Sequence, residues 1–364
     1  MSTINQPEAQ VYAPKGSETF NQKMYETLAD LTDETVSLIG DNLVALLLSG
    51  GYGRGEGGVN IVNGKEWPHN DLDLTIIVQR RDHVLKRVVE HITNRYGKRL
   101  GVRVDFNRPI TLKELRRLPH WLVWHDLLAG HQVLYGPSYI LSVNMPKYMK
   151  DPVPGTEALH LLLNRGAGLL RALRMVRQCE PELDRDFIRQ NYFKTAMALG
   201  DAVLIMLGHY DGRHQIRHER LIGAVQADHE LQKFDLLPLH EDGIHFKFTP
   251  HDFDAREITE DDLRDLARRW CEVFLWCERQ RTGGPFEDTE VYCRWPGIRE
   301  KDRSRLRHMP RNFARNLRVG WMSFRHPRES LYRMLPQLLD VKQMDYPEWP
   351  AIGEEFLKAW RRYS

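Results

Sequence analysis

Apolar positions at Phe20, Met24, Leu28, Leu31, Val36 and Ile39 recur at helical spacing and predict one or two helices between Glu18 and about Gly40. The pattern then changes. Asn42–Ser49 (NLVALLLS) is a short, continuous apolar run, as expected of a strand buried on both faces. A Gly-Gly turn follows, and Val59–Trp67 predicts a small hairpin because Asn63-Gly64 suits a type I′ turn. Asp71–Val78 is a second core strand. Helical spacing at Val84, Val88 and Ile92 predicts a helix over Arg80–Tyr96, stopped by Gly97. Leu100–Phe106 alternates as a third strand, a helix surrounds Trp121–Ala129, and His131–Pro137 (HQVLYGP) holds a last strand.

Past Pro152-Val153-Pro154 the pattern is helical throughout. Glu157–Arg177 and Arg185–Leu207 are long helices, the second closed by Gly208. Thr259-Glu260-Asp261-Asp262 resembles a capping box opening a helix through Cys277, with Leu263, Leu266, Trp270, Val273 and Phe274 along one face. The fold class expected is therefore α+β, a small mixed-sheet domain at 19–150 followed by an α-helical domain at 151–364. Residues 1–18, polar and carrying two prolines, are expected to form a loose arm.

Length and composition narrow the picture. A chain of 364 residues is long for one domain, and its 41% hydrophobic and 28% charged content is ordinary for a globular protein. Net charge is +2, which argues against a protein that coats a polyanion. The start, MSTINQPEAQVYAPKG, lacks the apolar core of a signal peptide, and no apolar run has membrane-spanning length. Cys179, Cys271, Cys277 and Cys293 match neither a disulfide framework nor a zinc pattern and are expected as free thiols. A reduced, cytoplasmic protein without a membrane partner is the expectation. Lys301–Met334 is locally basic, with ten Lys or Arg against Asp302 and Glu329 and with Phe313, Trp321 and Phe324 interleaved. Such a segment can track a nucleic-acid backbone, but a solvated helix face is the favoured reading.

The chemistry gathers in residues 48–77. Alternation along a strand turns Asp71 and Asp73 to one face and Leu72 and Leu74 to the other. Adjacent carboxylates repel, and a fold keeps them mainly to hold a divalent cation. Asp105 completes the cluster if the third strand lies beside the second. Gly50 and Gly51 allow a backbone loop to approach a triphosphate closely. Arg54, just past the turn, either binds phosphate or pairs with Glu56, and Glu56 itself either helps as a base or caps the turn. The string Gly51-Tyr52-Gly53-Arg54-Gly55-Glu56 is not a dinucleotide fingerprint, because no helix-bearing βαβ unit follows it.

Gly50-Gly51, Asp71-Leu72-Asp73 and Asp105 together resemble the hallmark of the polymerase-β-like nucleotidyltransferases. The stretch Gly50–Glu56 with Pro68-His69-Asn70-Asp71 is similar to the turn of the PII uridylyltransferases. The resemblance covers roughly residues 40–140. It implies that Gly50 and Gly51 contact the triphosphate and that Asp71, Asp73 and Asp105 hold Mg²⁺, two ions in all, as the catalytic carboxylates. The helical half resembles, more weakly, that of the antibiotic nucleotidyltransferases, in which a helix lysine reaches the triphosphate. Lys194, with Arg189 behind it, is the candidate here; the alternative is a lysine that snorkels from a bundle helix. Three departures stand out: the hairpin Val59–Trp67 lengthens the spacer, Gly51 replaces a common serine, and the chain lacks room for the uridylyltransferases' regulatory and hydrolase domains.

The activity implied is Mg²⁺-dependent transfer of a nucleoside monophosphate from an NTP to a hydroxyl or phosphate of an unidentified acceptor. ATP is the default donor because nothing in the sequence reads the base. A small-molecule acceptor suits a two-domain cleft. A protein, a tRNA end or a second nucleotide is the alternative, and a non-catalytic nucleotide-binding module is the rival from another class.

Overall fold

The computed structural model describes residues 11–179, 182–299 and 306–363. Its contacts divide the chain into two compact units. The first is the chain up to Val153 together with Tyr210–Arg217 and Ile244–Ala255, and the second is the remainder. Residues 1–10 of the expected arm and 301–305 of the basic segment lie outside the described residues. From Tyr12 onward the expected arm is packed: Tyr12 and Ala13 are buried, and the Asn21 side chain accepts from both their amides.

The first unit is built in chain order from α1 (Glu18–Ile39), β1 (Leu43–Leu48), a single helical turn α2 (Gly50–Gly53), β2 (Val59–Val62), β3 (Lys65–Pro68), β4 (Leu72–Val78), α3 (Val84–Leu100) and β5 (Val104–Phe106). It continues through β6 (Ile110–Thr111), α4 (Leu112–Leu115), α5 (Leu122–Ala129), β7 (Gln132–Tyr135) and α6 (Ile140–Asn144). The main sheet runs β5-β4-β1-β7, with β6 also pairing β4. It is mixed, since β1 pairs antiparallel with β4 and β7 whereas β4 pairs parallel with β5 and β6. A parallel return needs a crossover, and α3 supplies it.

Alternation divides the strands between two cores. Leu46, Leu48, Leu72, Leu74, Ile76 and Val78 pack with Phe20, Met24 and Leu28 of α1 and with Leu85, Val88 and Ile92 of α3. Ala45, Leu47 and Ile77 pack on the other side with Leu127, Ile140 and Leu141. The side chain of Asp73 has the parity of Ile77 and so belongs to this second face.

The hairpin forms as expected, with Val59 opposite Pro68 and with Asn63 and Gly64 at φ 51° and 71° across its turn. Helix α3 does not stop at Gly97. It runs to Leu100 and ends at Gly101, whose left-handed backbone (φ 69°) lets its amide reach Gly97 O at 2.9 Å. The third strand consequently starts only at Val104.

The second unit is helical. It centres on α7 (Gly155–Val176) and α8 (Arg185–Met206), continuing with α9 (His214–Ala227), α10 (His229–Gln232), α11 (Leu236–Phe248) and α12 (Glu260–Thr282). The first turn of α9 and the last turn of α11 are assigned to the first unit. The capping box at Thr259 and Asp262 is present, and Trp270 of α12 donates to Leu162 O at 2.9 Å and stacks on Phe274. A Cβ on Gly166 would lie 2.8 Å from the Trp270 ring, which explains a glycine inside α7. The last helices are α13 (Thr289–Arg294), α14 (Met309–Leu317), α15 (Pro327–Leu339) and α16 (Trp349–Tyr363). In the described part of the basic segment, Phe313 and Phe324 stack on each other, and Arg325 and Arg333 donate to backbone carbonyls. All four cysteines are free thiols, and three of them are buried. Among the described residues no helix is long and apolar enough to cross a membrane.

Candidate functional site

The parallel register sets Asp73 directly opposite Asp105, and neighbouring strands lie about 4.8 Å apart. Asp71 stands one residue ahead of β4 and is held at the sheet by the Leu72 amide, which donates to Arg103 O at 2.8 Å. The three carboxylates therefore share one end of the sheet. Burial first, then the negative charges of Asp71 and Asp105, push Asp73 up to about 6 from its ordinary 3.8, while Lys247 and Arg54 act against them. Arg103 pairs with Asp105 and lies 3.9 Å from Asp71. Its position two residues before Asp105 puts it on the same strand face, a signal the sequence carried. Among the described residues no three His, Cys, Asp or Glu side chains are drawn together as a ready-made metal cage.

The Gly-Gly segment is one turn of helix rather than an open loop. Its amides at Gly53 and Arg54 are spent on Ser49 O and on Gly50 O and Gly51 O. Ser49 ties the turn to β4, donating to Asp73 O through its amide at 2.8 Å and its hydroxyl at 3.1 Å. Gly50 has φ +64°, and a Cβ there would meet Asp73 Oδ2 at 2.1 Å. Only glycine meets both demands.

On the other side of the turn lies a cation that the sequence reading missed. A Cβ on Gly51 would sit 3.0 Å from Lys247 Nζ. Burial first, then Arg54, pulls the Lys247 ammonium down to about 8 from 10.5, and Glu56 and Asp73 partly hold it up. The flanking Phe246 packs edge-on against His69, which places the Lys247 segment over the strand approach His69-Asn70-Asp71. No periodicity or motif marks Lys247. It belongs to the first unit only through chain return.

Arg54 pairs with Glu56 at 3.2 Å, and its stem lies against Gly130, where a Cβ would be 2.3 Å from its Cγ. Glu56 also accepts from the His214 amide at 3.0 Å and bonds His214 Nδ1 at 2.8 Å. Glu56 thus fastens the returning segment to the glycine turn. Nearby, burial raises the pKa of Asp126, opposed by Arg54 and Arg217, and the Tyr210 hydroxyl donates to its carboxylate at 3.1 Å. Tyr52, fully buried, donates to Gly58 O at 2.7 Å and accepts from the His69 amide at 3.1 Å, linking the turn to the hairpin and to the approach of β4.

Asp71, Asp73, Asp105, Gly50, Gly51 and Arg54 all lie in the first unit. Lys194 and Arg189 lie on α8 of the helical unit, where Arg189 is 3.6 Å from Asp186. Comparison with known protein families and with curated proteins finds no match for this chain.

Proposed function

We propose that this protein is a nucleotidyltransferase of the polymerase-β-like kind, transferring a nucleoside monophosphate from an NTP, with ATP as default donor, to a hydroxyl or phosphate of a small acceptor. One observation carries the reading. Asp73, paired across the parallel strands with Asp105, fills the space a Cβ on Gly50 would take, while Lys247 lies against Gly51 on the same helical turn.

The donor set fits a hard divalent cation. Asp71, Asp73 and Asp105 offer only oxygen ligands, and their mutual repulsion at Asp73 is what a cation relieves. Asp105 would have to exchange its partner Arg103 for the ion. A bound Mg²⁺ would supply neutralisation of the triphosphate and of the carboxylates around the reacting phosphorus.

The chain's own residues do the rest. Gly50 and Gly51, lacking side chains, let the phosphates come close to the backbone. Lys247 and Arg54 carry positive charge to the side where pyrophosphate leaves. Asp71 and Asp105, their side chains 50% and 39% exposed, are both open to an incoming acceptor hydroxyl, and Asp105 takes its proton. The test is incubation with each α-³²P-labelled NTP and Mg²⁺, with and without a small-molecule cell extract. Labelled product and pyrophosphate are expected from the wild type, and neither from Asp73→Asn or Asp105→Asn. Undiminished transfer by folded Asp73→Asn, or NTP binding without any transfer, would overturn the proposal.

A further inference from the structure

Two neighbouring strands carry four charged residues around one parallel pair. One residue before the pair Leu72–Val104 stand Asp71 and Arg103, and one residue after it stand Asp73 and Asp105. Val104 is packed in the core, so Arg103 and Asp105 share the opposite face of their strand. One corner of an otherwise acidic array is therefore a cation. The Arg103 guanidinium donates to Asp105 and lies 3.9 Å from Asp71, so it reaches both solvent-open carboxylates, and its own side chain is 67% exposed. Asp73 lies deeper, in the space beside Gly50.

The guanidinium thus sits on carboxylates that a hard divalent cation would use. An ion pair this open to water is weak, so a divalent ion can displace it, but only in competition. The acids and bases acting on one another here are Asp71, Asp73, Asp105, Glu56 and Asp126 against Arg103, Lys247, Arg54 and Arg217. The acids exceed the bases by one, and removal of Arg103 doubles that excess. A bare cation meets carboxylates that are already largely balanced. An NTP carries its own negative charge to the same place, so nucleotide and cation favour each other's binding.

We infer that Arg103 is a displaceable counter-ion that weakens the hold of Asp71 and Asp105 on a bare divalent cation, so that the cation enters together with the NTP. The inference rests on the nucleotidyltransferase reading and adds an order of binding to it. Arg103 is a positioning residue in this scheme, acting through the two carboxylates.

The test is calorimetric titration of the full chain with Mn²⁺ alone and with preformed Mn²⁺–α,β-methylene-ATP, which cannot react. The wild type is expected to bind the complex at least about tenfold tighter than the bare ion, since the two ligands are coupled. Arg103→Gln should bind bare Mn²⁺ about three- to fivefold tighter than the wild type, the effect of removing an exposed pair, and so narrow that gap. Arg103→Lys, which keeps the charge, should stay within about twofold of the wild type. Arg108→Gln removes a cation that pairs instead with Glu114 and should change nothing. Asp73→Asn should lose Mn²⁺ binding, which places the ion at this site, and circular dichroism checks the fold of each variant. If Arg103→Gln binds bare Mn²⁺ no tighter than the wild type while both bind the complex, the inference falls and the nucleotidyltransferase reading stands. If Arg108→Gln tightens binding as much as Arg103→Gln, net charge alone is responsible and the inference falls. If the wild type binds neither Mn²⁺ nor the complex, both fall.

Discussion

Replacing Asp73 with asparagine should make the metal-free protein more stable at pH 8 while removing its activity. The folded state raises the Asp73 pKa from 3.8 to about 6, with burial as the first cause and the flanking carboxylates next. Below the unfolded value both states are protonated and no penalty exists. Between the two values the folded protein keeps a proton that the unfolded chain releases, so stability falls as pH rises. Above the folded value the penalty is complete, about 3 kcal/mol at about 1.4 kcal/mol per pH unit. Asp73 is only partly buried, so solvent screening lowers the expected gain of Asp73→Asn to about 1–3 kcal/mol. Urea unfolding of wild type and variant in EDTA, followed by far-UV circular dichroism at about pH 8 and pH 4, measures it. The variant should lead at pH 8, and the gap should close by pH 4. Mg²⁺ should stabilise the wild type, by about 1.4 kcal/mol at ten times its Kd, and leave the variant unmoved. A variant less stable than wild type at pH 8, or a gap independent of pH, would refute the argument that Asp73 is a desolvated, repelled carboxylate.

Other substitutions probe the rest of the site. Gly50→Ala meets both a positive φ and the Asp73 carboxylate, whereas Gly40→Ala meets positive φ alone with nothing within 4 Å. Denaturation should find Gly40→Ala costing about 1–2 kcal/mol and Gly50→Ala clearly more, with activity lost only in the latter. Lys247→Met should raise the apparent Kd for NTP about tenfold or more, since it removes a charge-assisted contact. For the wild type, NTP affinity measured against pH should decline as pH rises through about 8, where the Lys247 ammonium loses its proton. Tyr52→Phe strands Gly58 O and the His69 amide, and equilibrium unfolding should register a loss of about 1–3 kcal/mol.

Local pattern carried much of this protein. The continuous run at Leu43–Leu48 can be satisfied only between two cores, and Asn63-Gly64 supplies the two positive φ values a tight hairpin needs. The caps at Thr259 and Gly208 mark helix boundaries because they satisfy backbone groups within a few residues. Strand parity predicts Asp71 and Asp73 on one face, although β4 itself begins only at Leu72. The end of α3 was misread at Gly97 because two glycines compete for the cap, and only the one that leaves the helical conformation ends it. Tertiary structure decided what depends on distant chain. The Asp73–Asp105 register needed the α3 crossover, and the raised pKa of Asp73 needed burial as well as neighbours. Lys247 and His214 reach the glycine turn only because two segments beyond residue 200 return to the first unit. A lysine's sequence neighbours say nothing of a glycine almost two hundred positions away, and only packing brings their atoms together.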